Sequence, residues 1–197
     1  MYKVAVCVSG GGTNLQAIID AIEAGKVQKT EIVLVVSTNS KAYALERAKN
    51  HGIDSIVLAK KKFDTDSARE AVLLDLLREK KVDLIVFAGC MMVLSSQFIY
   101  DWGKPIINIH PSLLPKYGGH KFYGLAPHEA VLAEGEKITG ATVHYIDGGI
   151  DTGGIILQKE VAVMENDTPE TLQKRVMEEA EWEILPQVIN MLAKGEI

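Results

Sequence analysis

The chain has only two cysteines in 197 residues, Cys7 and Cys90. Both fall in apolar runs and neither has neighbours at metal-ligand spacing. A disulfide scaffold and a thiolate metal site are therefore not expected, and the pair reads as core residues of a protein in a reducing cytoplasm. Positive charge is also scarce: 21 Lys and Arg against 26 Asp and Glu leave a net charge of -5, the wrong sign for a protein that tracks nucleic-acid phosphates. No run approaches the roughly 20 apolar residues that cross a bilayer, so a membrane partner is not expected either. Met1-Tyr2-Lys3-Val4-Ala5-Val6 passes straight into a strand pattern, with no sign of a signal peptide. The lysine run 60–62 fits a solvated loop face. There is no internal repeat, low-complexity segment or linker, so a single domain over 1–197 is expected.

What is present alternates. An apolar run at Val4 to Val8 stops at a glycine turn, and Leu15, Ile18, Ile19 and Ile22 then recur at helical spacing up to Gly25. Glu31 to Ser37 reads as a strand, Ala42 to Asn50 as a helix and Ser55 to Leu58 as a short strand. Asp64 to Lys80 is a helix with Asp64 or Thr65 as cap, and Leu84 to Ala88 is an apolar strand of the kind buried on both faces. A short helix near Ser95 to Trp102 precedes the apolar run Ile106, Ile107, Ile109. Beyond Pro115 an irregular, aromatic-bearing loop leads to a helix at Ala126 to Glu134. Strands at Thr139 to Ile146 and Ile155 to Val163 are joined by a loop too short for a helical crossover, which makes them antiparallel. Asp167 or Thr168 caps a last helix with a stripe of Leu172, Val176, Ala180 and Ile184, which Pro186 should bend or interrupt. The expected fold class is α/β: a doubly wound, mostly parallel Rossmann-like sheet with helices on both faces and an antiparallel C-terminal strand pair.

Three stretches carry polar groups that the fold alone does not require. The turn Ser9-Gly10-Gly11-Gly12-Thr13-Asn14 between strand and helix lets backbone N–H groups and a helix dipole converge on an anion. It is neither a P-loop nor a Gly-x-Gly-x-x-Gly fingerprint, so a dinucleotide is not implied. A phosphate monoester fits, with Thr13 and Asn14 able to add side-chain donors; the plainer reading is a tight turn needing positive φ. In Asn108-Ile109-His110-Pro111, period 2 puts the amide and the imidazole on one strand face, at a carboxyl end where open α/β sheets bind ligands. A fixed neutral donor beside a titratable one suits a carbonyl oxygen that becomes an oxyanion; a closed turn and a buried core histidine are the alternative. Asp147 and Asp151 share a glycine-rich loop, and by composition either is an eligible carboxylate.

Ser9-Gly10-Gly11-Gly12-Thr13-Asn14-Leu15-Gln16, Asn108 to Pro115 and Gly140 to Gln158, taken together and in order, resemble the phosphoribosylglycinamide formyltransferase family of the folate-dependent formyltransferase superfamily. The resemblance covers nearly the whole chain. It implies formyl transfer from 10-formyltetrahydrofolate to the amine of 5'-phosphoribosylglycinamide, through a tetrahedral oxyanion, in de novo purine biosynthesis. It also chooses between the two carboxylates, making Asn108, His110 and Asp151 the catalytic trio. It assigns Gly11, Gly12, Thr13, Asn14 and Glu181 to the substrate's phosphate and ribose, and Met91, Met92, Val93, Leu94, Ile146 and Asp147 to the folate. Residues 1–100 then form a phosphate-binding half and 101–197 a catalytic and folate-binding half.

The chain departs from the family in two places: Met92 stands where many relatives carry arginine, and the segment Gly118 to Pro127 is longer and different from the common form. The implied partners are two small molecules, with formyl-folate as co-substrate, no metal, and a cytoplasmic monomer or homodimer. A formyltetrahydrofolate deformylase shares the trio but normally carries a further N-terminal domain, and a methionyl-tRNA formyltransferase adds a basic C-terminal one. A non-catalytic nucleotide-binding module is the alternative from another class.

Overall fold

The computed structural model describes residues 1–197 in full. In chain order the strands are Tyr2–Val8 (β1), Thr30–Ser37 (β2), Ser55–Val57 (β3), Leu84–Phe87 (β4), Ile106–His110 (β5), Ile138–Tyr145 (β6) and Ile155–Ala162 (β7). The helices are Thr13–Glu23 (α1), Ala44–Asn50 (α2), Asp66–Glu79 (α3), Ser96–Trp102 (α4), Ala126–Ala133 (α5), Pro169–Val176 (α6) and Trp182–Lys194 (α7). The strands form one sheet in the order β3-β2-β1-β4-β5-β6-β7. Pairings from β3 to β5 are parallel, and β6 and β7 join antiparallel. After β3 the chain returns to the far side of β1, so the order reverses between β1 and β4. That reversal opens a crevice at the strands' carboxyl ends.

Alternation along β1 shows how the sheet divides the core. Val4, Val6 and Val8 enter a cluster of 29 buried residues under α1, α2, α6 and α7, whereas Ala5 and Cys7 enter one of 15 residues under α3 and α4. Because the central strands are covered on both faces, they read as unbroken apolar runs. Local caps resolve the two choices the sequence left open. Thr65 caps α3 through Ala68 N–H at 3.1 Å. Thr168 caps α6 in a reciprocal box with Thr171, while Asp167 is taken up by the Arg175 guanidinium.

Two expectations are corrected. Cys90 is not a core residue: it lies half-buried on the crevice wall, although burial of its sulfur still pushes the thiol up to about 11. The last helix is not interrupted at Pro186, which sits buried inside α7. The break is a single π turn at Met177–Glu181. Proline has no N–H to return to the carbonyl four residues earlier, Trp182. The ladder is therefore already open where the π turn hands over to α7, and the extra residue is absorbed there.

Gly140 in β6 is fixed by packing rather than by a turn. A Cβ there would stand 2.0 Å from the Lys159 carbonyl oxygen of β7 and 2.7 Å from the Leu113 side chain. We expect Gly140→Ala to lose about 1–3 kcal/mol of stability through overpacking, read from urea denaturation. An unchanged midpoint would contradict the close approach of β6 and β7.

Candidate active site

The crevice is a cleft of about 690 Å³ lined from four directions: the turn after β1, the segment after β4, the end of β5 with the loops that follow it, and the Gln173, Met177 and Glu181 side of α6 and the turn after it. The turn after β1 is fastened from behind. Ala44 N–H donates to the Gly10 carbonyl at 3.1 Å, and Arg47 Nε–H donates to the Gly11 carbonyl at 2.8 Å. Gly12 has φ 72°, and a Cβ on it would meet the Ala44 Cβ at 2.6 Å. With two carbonyls turned to α2, the amides of Gly11, Gly12, Thr13 and Asn14 have no acceptor within the chain. They line the cleft at the start of α1, the geometry that suits an oxyanion such as phosphate.

The side chains expected to assist them do otherwise. Thr13 Oγ1 faces Met177 Sδ at 3.8 Å, and Asn14 donates its amide to Glu181 Oε2 at 2.6 Å. Asn14 therefore contributes a backbone donor to the turn and spends its side chain on Glu181. That carboxyl is 6% exposed at the end of the π turn, and burial, only partly offset by the Asn14 amide, pushes it up to about 7. A π turn is not written in an apolar stripe, so sequence reasoning placed Glu181 without seeing what aims it.

On β5, Asn108 and His110 share a face as their spacing requires. Asn108 pairs across the ladder with His144 of β6. His144 Nδ1–H donates to the Tyr145 carbonyl at 2.9 Å, which leaves Nε2 to accept from Asn108 Nδ2 at 3.0 Å. Asp151 closes the group. Its Oδ1 is 3.5 Å from Asn108 Nδ2 and from His144 Nε2. Its Oδ2 accepts Gly119 N–H at 2.9 Å and lies 3.4 Å from His110 Nδ1. His110 donates Nε2–H to the Tyr117 carbonyl at 2.7 Å.

Electrostatics sharpens this arrangement. Burial pushes the His110 pKa down, outweighing the pull of Asp151, so the ring is neutral near pH 7. Burial acts to raise Asp151, but its contacts with His144 and His110 and the Gly119 amide hold it below its ordinary value. A neutral His110 with its proton on Nε2 turns a lone pair toward an ionised carboxylate. Between Nδ1 and Oδ2 there is thus a place for one proton, and a proton arriving there makes an ion pair.

The residues expected against a folate separate. Met91, Met92, Val93, Leu94 and Ile146 line the cleft, but Met92 and Leu94 bury their side chains in the smaller core cluster while Met91 and Val93 are more than half exposed. Asp147 does not reach the cleft. Its carboxylate folds back on Gly149 N–H at 3.1 Å and Thr152 Oγ1 at 2.9 Å, as an aspartate in a glycine turn commonly does. Three histidines that line the cleft, His120, His128 and His144, went unassigned in the sequence. His144 needed only the β5–β6 register to be found opposite Asn108. His128 is fully buried on the cleft wall with neither ring nitrogen paired, and burial pushes its pKa down to about 4. No group of three or more His, Cys, Asp or Glu gathers as a metal site, and no helix is long and apolar enough to cross a membrane.

Comparison with known proteins points one way. The family model described as formyl transferase matches residues 2–189. The trifunctional purine biosynthetic protein adenosine-3 of Drosophila melanogaster is 40% identical over 194 residues, covering 98% of this chain; the chain spans 14% of the length of that relative. The phosphoribosylglycinamide formyltransferase of Haemophilus influenzae is 38% identical over 197 residues, covering all of this chain and 90% of that protein. Among solved structures, glycinamide ribonucleotide transformylase 1 from Symbiobacterium toebii aligns with a TM-score of 0.91 at 37% identity, over 99% of this chain and 89% of that one.

Glu181 yields a signed prediction. Its folded pKa, about 7, lies above the ordinary 4.5. Its contribution to stability is therefore fully present below pH 4.5 and is lost as pH rises toward and through 7. Glu181→Gln keeps an acceptor for Asn14 and cannot ionise. Its stability relative to wild type should rise across that window, by up to roughly 3 kcal/mol, in denaturation of the ligand-free proteins at pH 5 and pH 8. Parallel behaviour at both pH values would show that Glu181 is not titrating in the cleft.

Proposed function

The chain belongs to the formyl transferase family, and on that premise we propose that it transfers the formyl group of 10-formyltetrahydrofolate to the amine of 5'-phosphoribosylglycinamide, a step of de novo purine biosynthesis. The observation that carries the reading is the meeting of Asn108, His110 and Asp151 within 3.5 Å, in the same cleft as a turn of free amides. The same cleft therefore carries free amides that suit a phosphate, an apolar wall that suits a flat ligand, and the polar trio.

In this reading the amides of Gly11 to Asn14 hold the ribonucleotide phosphate, and Glu181, kept in place by Asn14, faces the ribose. Met91 to Leu94 and Ile146 form the wall for the pterin of the folate. Holding both partners in contact turns a bimolecular step into a local one, which supplies much of the rate. The neutral amine attacks the formyl carbon, and the carbonyl oxygen gains charge as the C–N bond forms. Asn108 meets that charge by exchanging one of its present acceptors, His144 Nε2 or Asp151 Oδ1, for the oxygen.

The attacking amine must also lose a proton. The gap between Asp151 Oδ2 and His110 Nδ1 receives it, and the positive charge this leaves on His110 helps to balance the oxyanion. The proton then leaves on the folate nitrogen as the old C–N bond breaks, so acceptor and leaving group exchange one proton overall. A neutral amine is already a competent nucleophile, so the step as written needs no metal. The reading places the reaction in the cytoplasm, between two small molecules, on a monomer or homodimer, with residues 1–100 serving the phosphate and 101–197 the chemistry and the folate.

Formyl-folate consumption measured with and without the ribonucleotide tests the proposal. Turnover only with the ribonucleotide, giving one formylated product per folate, supports it. Equal turnover without it would indicate a deformylase, and none in either case a binding module. Asp151→Asn preserves shape but removes the charge that receives the proton; kcat should fall by orders of magnitude with the circular dichroism unchanged. A variant of near-normal kcat would remove Asp151 from the mechanism.

A further inference from the structure

Tyr117 lies outside the cleft, yet it touches the site through its backbone. It is one of four non-glycine residues with positive φ, at 55°. A side chain in that left-handed region costs on the order of 1–2 kcal/mol, so something must hold it there. The holders are visible. The phenol hydroxyl donates to Glu134 Oε2 at 2.7 Å and lies 3.2 Å from Glu136 Oε1, which Lys116 Nζ approaches at 2.6 Å. The ring meets Phe122 edge-on at 5.8 Å. Behind it, the buried Ser112 hydroxyl donates to the Lys116 carbonyl at 2.7 Å.

The result of this anchoring is the position of one oxygen, the Tyr117 carbonyl, 2.7 Å from His110 Nε2. Two residues on, Gly119 N–H holds Asp151 Oδ2. Gly118 between them has no room for a side chain, since its Cβ would stand 2.6 Å from Leu114 Cδ2 and 3.4 Å from Asp151 Cβ. The segment Tyr117 to Gly119 therefore brackets both members of the pair and sets the 3.4 Å between them. If neutral His110 moved its proton to Nδ1, a lone pair on Nε2 would face the carbonyl at 2.7 Å with no hydrogen between, a buried unpaired contact.

We propose that Tyr117 is a positioning residue: its hydroxyl, tethered to Glu134 and Glu136, fixes the carbonyl that selects the Nε2–H tautomer of His110, so that Nδ1 stays open toward Asp151. This deepens the functional reading above and rests on His110 and Asp151 as the pair that handles the proton.

Tyr117→Phe removes only the hydroxyl and keeps the ring and the carbonyl. In ¹⁵N spectra of the histidine-labelled protein, wild-type His110 should show the neutral Nε2–H pattern, and the variant a mixture of tautomers. kcat should fall roughly fivefold to tenfold, the weight of one hydrogen bond, while KM for both substrates changes less than about twofold. Glu134→Ala, at an exposed position, should move the spectrum and kcat in the same direction without threatening the fold, and Glu134→Gln, which keeps an acceptor, should recover both. An unchanged tautomer pattern in Tyr117→Phe and Glu134→Ala would overturn the proposal, whatever happens to melting temperature. If wild type transferred no formyl group but the tautomer still followed Tyr117→Phe, the functional reading would fail and the tether would stand.

Discussion

Asp151 is a carboxylate with 12% of its side chain exposed, and keeping it ionised there constrains the whole site. A buried charge is tolerated only when paired and hydrogen-bonded. Its partners come from two parts of the chain: β5 with the loop after it, which supply His110 and the Gly119 amide, and β6, which supplies His144. In the antiparallel register Asn108 stands opposite His144, so the β5–β6 ladder itself brings that imidazole beside the amide and the carboxylate.

The same cleft holds a second carboxylate in the opposite state. Glu181 has a single amide donor and no cation, and burial pushes it up toward neutrality, whereas Asp151 has imidazoles on two sides and stays below its ordinary range. Environments that drive two acids apart in one cavity assign them different work. A group that is half neutral near pH 7 can donate to, or accept from, a hydroxyl. A group that stays charged can receive a proton and stabilise the cation that results. The two also belong to different structural units, Glu181 to a helix turn widened by one residue and Asp151 to a glycine loop at φ 56°.

Much of this was legible in residue order, because the signals concerned are local. The doubly wound class follows from alternating apolar runs and helical stripes, and the antiparallel end from a loop too short to cross over. Asn108 and His110 follow from period 2. What stayed hidden required a register or a third dimension. His144 is opposite Asn108 only once β5 and β6 are paired, and Asp147, expected against the folate, is seen closing its own turn only in the folded loop. Asn14 read as a phosphate donor because its side chain has the right chemistry; that it turns to Glu181 depends on a helix 167 residues away. Pro186 signalled disorder in the ladder correctly but not where the extra residue would go, since hydrogen bonds can be rearranged on either side of a proline.

The loop that follows β5 is also the segment that meets His110 and Asp151. Gly118 to Pro127 begins inside the Tyr117–Gly119 bracket and ends at the helix carrying His128, so its length bears on two points of the cleft wall. A longer loop costs little in closure entropy, provided its ends are held, and both are: by the Tyr117 hydroxyl and ring at one end, and by the first turn of α5 at the other. Between those ends lie His120, Phe122 and Tyr123, all facing the cleft. Substitution there can reshape what the cleft admits while the two contacts that set His110 and Asp151 stay where they are.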